Sequence, residues 1–298
     1  MRNDLAYSAS NAVTSASVLS MKVVAMATVD PFARTDELDD RTLAALIARF
    51  EARGRHPTFM RMLQEYLDAM HVDDATQVVD LGCGTGIAAR AIARRGGFGG
   101  TVTGVDLSPY LVAAAQRLAG EEGVAGTVAF LTGDTRDLDA ADGVFDAAVA
   151  HTLLSHVDDP MAALSEAARV LSVGGVLGVF DGDYAALTFG HRDPLKARTY
   201  DEALVNSIVA SPRVMRQMPR LLHAAGFELI ASFAHVLADV GTADFWSSAI
   251  DTYARLMPKA GMVTQSDADA WAEALHNDSA EGLFFASCTY YAYVARRA

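Results

Sequence analysis

The stretch Val78-Val79-Asp80-Leu81-Gly82-Cys83-Gly84-Thr85-Gly86 leaves this chain few folds to choose from. An apolar run ending in an acid, then glycines at alternate positions, then Ala-rich sequence from Ile87, spells strand, tight turn and helix. Glycines there allow dihedrals and a close backbone approach that a Cβ forbids. Twenty residues after Gly86 a second apolar run ends in Asp106, placed to accept hydrogen bonds from ribose hydroxyls. The two acids and the glycines describe a pocket for a nucleoside-bearing cofactor at the carboxyl edge of a parallel sheet.

The spacing narrows the cofactor. A dinucleotide loop reads G-x-G-x-x-G and seats a pyrophosphate on a helix N-terminus. Here the spacing is G-x-G-x-G, with Ile87 where the longer motif places glycine. Asp80, directly before the loop, suits an ammonium group better than a pyrophosphate.

Five segments in order resemble the class I S-adenosylmethionine (SAM)-dependent methyltransferases. Val78 to Arg90 is similar to that family's first motif and Gly104 to Gln116 to its second. Leu131-Thr132-Gly133-Asp134-Thr135 is similar to the strand end that reads adenine. Phe145 to His151 resembles the fourth strand, and Ala163 to Phe180 the helix, turn and fifth strand. The resemblance implies SAM as cofactor. It places Asp80, Gly82, Cys83, Gly84, Thr85 and Gly86 at the methionine part, Asp106 at the ribose, and Leu107, Asp134 and Thr135 at the adenine. His151, just past the fourth strand, falls near the methionine carboxylate by the same likeness.

Strand and helix patterns alternate through Gln77–Leu81, Ile87–Arg94, Thr101–Asp106, Tyr110–Gly120, Val128–Thr132, Phe145–Ala150, Met161–Leu171 and Val176–Phe180. Such alternation predicts a Rossmann-like, doubly wound α/β sheet with helices on both faces. Phe227-Glu228-Leu229-Ile230, after a helix over Val214–Ala225, starts a sixth strand, and the β-rich run from Leu283 to Ala295 supplies a last one, antiparallel in the resembling family, which makes seven. Helical spacing over Asp36–Arg53 and from Pro57 predicts two N-terminal helices. From them Arg55, His56 and Arg61 are the polar residues with a chance of reaching inward. Residues 185–211 carry no strand signature and are expected to open a helical cap. The expected division is an N-terminal arm over 1–35, a helical cap over 36–74, a cofactor-binding core over 75–184, and cap insertions with C-terminal strands over 185–298.

A formal net charge of −13 over 298 residues disfavours a nucleic-acid substrate, since no basic stripe is visible. No uninterrupted apolar run long enough to span a membrane exists, so no membrane insertion is expected. Two cysteines are too few for a disulfide framework and fit a reducing, cytoplasmic setting.

Acceptor chemistry belongs at the carboxyl ends of strands four and five. His156, five residues beyond His151, is the candidate catalytic base or acceptor contact, with capping of the next helix as the bland alternative. Asp181-Gly182-Asp183 could hold a divalent cation, but the remaining ligands are not evident, so no metal is expected. Aromatic and Met residues of the cap suggest an apolar pocket under a lid. The expected function is methyl transfer to a small organic acceptor, a secondary metabolite or quinone-like compound. The alternatives are a SAM-binding protein that does not methylate (a regulatory module or rearrangement catalyst) and a protein or nucleic-acid methyltransferase.

Overall fold

The computed structural model describes residues 40–298, so the expected arm over 1–35 lies outside the described residues. Two helices come first, α1 (Asp40–Arg55) and α2 (Pro57–Ala69). The core follows as β1 (Gln77–Leu81), α3 (Ile87–Ala93), β2 (Thr101–Asp106), α4 (Pro109–Glu121), β3 (Val128–Thr132), β4 (Phe145–His151), α5 (Pro160–Val170) and β5 (Leu171–Phe189). After it come α6 (Pro194–Ile208), α7 (Val214–Ala224), β6 (Phe227–Gly241), α8 (Ser247–Leu256), α9 (Gln265–Ala280) and β7 (Phe284–Arg297).

Local chemistry sets the helix starts. Ser108, Asp159 and Asp193 each precede a proline, and each side chain accepts a backbone N–H of the first turn. Proline costs nothing at that position because its missing N–H has no partner there anyway. Each cap contributes about 1 kcal/mol.

The seven strands form one sheet in the order β3-β2-β1-β4-β5-β7-β6. Strands β1 to β5 run parallel, and β7 enters antiparallel between β5 and β6. The expected Rossmann-like sheet with its antiparallel last strand is therefore present. Two apolar cores lie on it. One holds α2, α3, α4 and the cap helices α6, α8 and α9, and the other holds α5 and α7.

β5 departs from expectation by running on to Phe189, five residues past the boundary expected at 184. A register shift between Asp183 and Thr188 bends it, after which Thr188 and Phe189 pair with Ser287 and Ala286 of β7. The extension carries Phe189 into the cap, where its ring meets Trp246 and Trp271 edge-on at 5.7 and 5.1 Å. Among the described residues no helix is long and apolar enough to cross a membrane.

Candidate active site

β1 is buried from Val78 to Leu81, which carries Asp80 to the carboxyl edge of the sheet inside the protein. The chain then turns through three left-handed glycines, Gly82, Gly84 and Gly86, with φ of 61°, 54° and 78°. A Cβ on Gly82 would stand 2.4 Å from Leu153 Cδ1, and one on Gly86 2.5 Å from Phe130 Cζ. Both dihedral and space therefore demand glycine at these two positions.

Asp106, at the end of β2, braces this turn. Its Oδ2 accepts the Gly84 N–H at 2.8 Å and its Oδ1 the Ser108 N–H at 2.9 Å. Asp80 Oδ2 accepts the Ala89 N–H at 3.0 Å, while Asp80 Oδ1 is buried with no partner. Burial pushes the Asp80 carboxyl up to about 7, against the Ala89 hydrogen bond and with help from the nearby Asp106 charge. Such a group exchanges its proton near neutral pH and gains most from an incoming cation.

The turn opens into a cleft at the carboxyl edge of the sheet. Asp80, Gly82, Cys83, Gly84, Thr85, Asp106, Leu107, Asp134, Thr135, His151 and His156 all line it, and Gly86 shapes the turn behind it. The topology thus gathers residues from four strand ends into one crevice, as open α/β sheets do.

Several side chains are engaged in ways the sequence did not reveal. The Thr85 hydroxyl donates to Glu51 Oε1 of α1 at 2.7 Å. Burial and the neighbouring acids hold the Cys83 thiol well above its ordinary value, so it is protonated and inert. Asp134 is paired with Arg136 at 2.7 Å, and that hydrogen bond keeps its carboxyl below the usual range.

His151 is packed in an aromatic cage, stacked on Phe180 at 4.8 Å and met edge-on by Phe59 at 5.3 Å. Its Nδ1 shares a hydrogen bond of 3.0 Å with Tyr66 Oη, and its Nε2 is buried without a partner. Burial, then the charge of Arg53, drives its pKa down to about 3, so the ring is neutral. A ring of such low basicity is a poor base near pH 7. His156 lies nearer the cap, with its ring 6.1 Å from that of Tyr184.

Asp181 and Asp183 are each engaged by neighbouring groups of the protein. Asp181 is fully buried and accepts the Ser155 and Gly182 N–H groups at 2.9 and 2.8 Å. Asp183 pairs with Arg216 at 2.8 Å, tying β5 to α7.

The largest addition is a wall built by α1. Arg49 and Arg53, one helical turn apart, line the cleft, as do Tyr184, Tyr253 and Ile208. Arg53 Nη2 donates to Thr152 Oγ1 at 3.0 Å, and Thr152 itself has a left-handed φ of 58°. Of the residues expected to reach inward from this region, Arg55 and Arg61 are exposed and His56 packs its edge on Phe245. The available signal was Phe50: the apolar face of α1 that includes it also carries residues 49 and 53.

A family model described as a methyltransferase domain matches residues 79–179. An O-methyltransferase of Aspergillus nomiae is 32% identical over 171 residues, covering 57% of this chain and 72% of its own length. The chain belongs to the class I SAM-dependent methyltransferases. An uncharacterized 37.1 kDa protein in transposon TN4556 of Streptomyces fradiae shares 32% identity over 232 residues, 77% of this chain and 65% of that protein. The chain spans 44% to 65% of the length of six of the curated relatives it matches. Among solved structures, the [4+2]-cyclase SpnF has a TM-score of 0.54 at 22% identity, covering 82% of this chain and 84% of that one. That likeness concerns the methyltransferase fold alone, which here accommodates a cyclase, so fold does not choose the reaction.

Proposed function

We propose that this protein binds SAM in the cleft and transfers its methyl group to a small organic acceptor. One observation carries the reading: the buried, unpartnered Oδ1 of Asp80 beside three left-handed glycines. The residues fit the cofactor. A buried carboxylate oxygen lacking a partner matches an ammonium, the glycine turn leaves room for a thioether chain, and Asp106 would hold the ribose. His151 Nε2, also buried and unpartnered, suits the amino-acid end. Leu107, Asp134 and Thr135 would hold the adenine. When bound, the sulfonium supplies an activated methyl group and a neutral thioether as leaving group.

The protein then has to align an acceptor and keep water out, and alignment of that kind contributes about 7–11 kcal/mol in favourable cases. His156 is the residue proposed to take the acceptor's proton, since a His151 ring with its pKa pushed down to about 3 is too weak a base. Relatives named as O-methyltransferases support a small acceptor, and the acidic chain argues against nucleic acid. The proposed division of labour has residues 36–74 and 185–298 closing over a cofactor core at 75–184. Two buried, unbridged cysteines favour a cytoplasmic setting, and a role in secondary metabolism accords with the small acceptor.

The deciding experiment is calorimetry of the full chain with SAM, S-adenosylhomocysteine and NADH, followed by labelled-methyl turnover on a panel of hydroxylated and amino acceptors. Micromolar SAM binding with label transfer is expected. Tight NADH uptake without SAM binding refutes the cofactor, and SAM binding with no transfer to any acceptor favours the non-methylating alternative.

A further inference from the structure

The α1 wall holds two guanidinium groups whose donors are not used up. Arg49 Nη2 donates to Tyr253 Oη at 2.8 Å, and its Cζ lies 4.7 Å over the Tyr253 ring, yet Arg49 Nη1 is buried with no acceptor. Arg53 lies over Phe59 at 5.1 Å and bonds Thr152, and its Nε is likewise buried and unpartnered. Neither is shown paired with a carboxylate among the described residues, although both line the cleft. Elsewhere in the cleft the positive charge is spent, since Arg136 holds Asp134.

Buried guanidinium donors without acceptors are costly, and a planar fork matches an oxyanion in two-point geometry. The surroundings place Arg49 on the acceptor side, and Arg53, bonded to Thr152 beside His151, borders both that side and the proposed amino-acid end of the cofactor. Tyr253 comes from the cap helix α8, and Tyr184 from the bent part of β5, with Ile208 closing α6 beside them. Tyr253 is almost wholly buried, so its hydroxyl is a fixed partner for Arg49 and not a mobile surface group.

We propose that Arg49 and Arg53, with the Tyr253 hydroxyl, form an oxyanion subsite for the acceptor. The substrate class is then a small molecule with an apolar or aromatic body and a carboxylate or phosphate at one end. The body lies against Tyr184 and Ile208, and the oxyanion anchors on α1 so that the nucleophilic atom faces the methyl donor near His156. This rests on the proposed methyl transfer in the same cleft, and it names what that reaction acts on.

The test uses the full chain saturated with S-adenosylhomocysteine, titrated in a calorimeter with benzoate, phenyl phosphate and the neutral methyl benzoate. One oxyanion is expected to bind at least tenfold more tightly than the ester, and which one does identifies the group. The Arg49→Gln and Arg53→Gln variants are expected to lose that preference, with Arg49→Lys keeping part of it. Equal binding of the acids and the ester by the parent protein overturns the proposal. So does a tenfold loss of S-adenosylhomocysteine affinity in Arg49→Gln with 5′-methylthioadenosine affinity unchanged, because the fork then serves the cofactor's own carboxylate. Failure of the parent to bind S-adenosylhomocysteine at all is a different result, and it removes the methyl-transfer reading instead.

Discussion

At the residue scale, Asp80 sets a tension between stability and binding. Its pKa is about 7 in the folded protein against 3.8 for an ordinary aspartate, so between those values the native state holds a proton that the unfolded chain has released. Stability therefore falls as pH rises from about 4 to about 7, by roughly 4 kcal/mol at the end of that window. Asp80→Asn removes this cost and keeps an acceptor for the Ala89 N–H. The ligand-free variant is expected to melt above the parent at pH 8, with the gap closing at pH 5. The same change removes a charge-assisted contact to an ammonium and is expected to weaken SAM about 10- to 100-fold. Unchanged SAM affinity in calorimetry contradicts the role given to Asp80. His156 and His151 separate in the same way. His156→Ala is expected to lower kcat about 100-fold on an acceptor that must lose a proton, with SAM Kd within twofold. A variant turning over as fast as the parent shows that the base is elsewhere.

At the element scale, α1 is joined to the glycine turn by one buried acid. Glu51 accepts from Thr85 at 2.7 Å and from Arg90 of α3 at 2.6 Å, and Arg90 is only 3% exposed. Arg90 and Arg94 also reach Glu122, just past the end of α4, so three helices share one network. Glu51→Ala leaves a buried guanidinium short of one partner and is expected to cost about 3 kcal/mol in urea unfolding. Because α1 also carries Arg49 and Arg53, the variant is expected to weaken both SAM and acceptor binding. Loss of stability with both affinities intact means that α1 holds its place without this link. The helix pattern of α1 was legible in its apolar spacing, but its inward polar residues were not. Arg55 and Arg61 are as polar in sequence as Arg49 and Arg53, and only the packing of Phe50 and Gly54 on the loop and α3 decides which turn faces the cleft.

At the scale of the whole molecule, the cap is held on the sheet by the far end of β5. Phe189 is 2% exposed and meets Trp246, Tyr253, Trp271 and Phe284 at ring distances of 5.1 to 6.4 Å. Phe189→Ala is expected to cost about 3–5 kcal/mol by loss of buried area and creation of a cavity. Its KM for acceptor should rise more than its Kd for SAM, because Tyr253 loses an edge-on neighbour while the glycine turn does not. Equal losses on both ligands point to general unfolding instead. The parallel core was readable, since each strand from β1 to β4 is a short apolar run bounded by turn residues, and the antiparallel last strand was implied by the family resemblance, whereas the strand order and the place of β7 between β5 and β6 come from the pairing itself. The extra length of β5 was not readable. Tyr184-Ala185-Ala186-Leu187 has weak strand preference and falls in the register shift, and pairing with β7, about a hundred residues later, resumes only at Thr188 and Phe189.

Local pattern alone thus determined the residues of the proposed cofactor half of the site: an acid, three left-handed glycines and a second acid are set by dihedral needs and strand ends within about thirty residues of chain. The tertiary structure alone brought together the residues of the proposed acceptor half, because Arg49, Arg53, Tyr184 and Tyr253 come from three distant elements and share no local signature. It also decided the state of each group. Burial and neighbouring charge, which no short segment encodes, hold His151 neutral and bring Asp80 to the edge of ionisation.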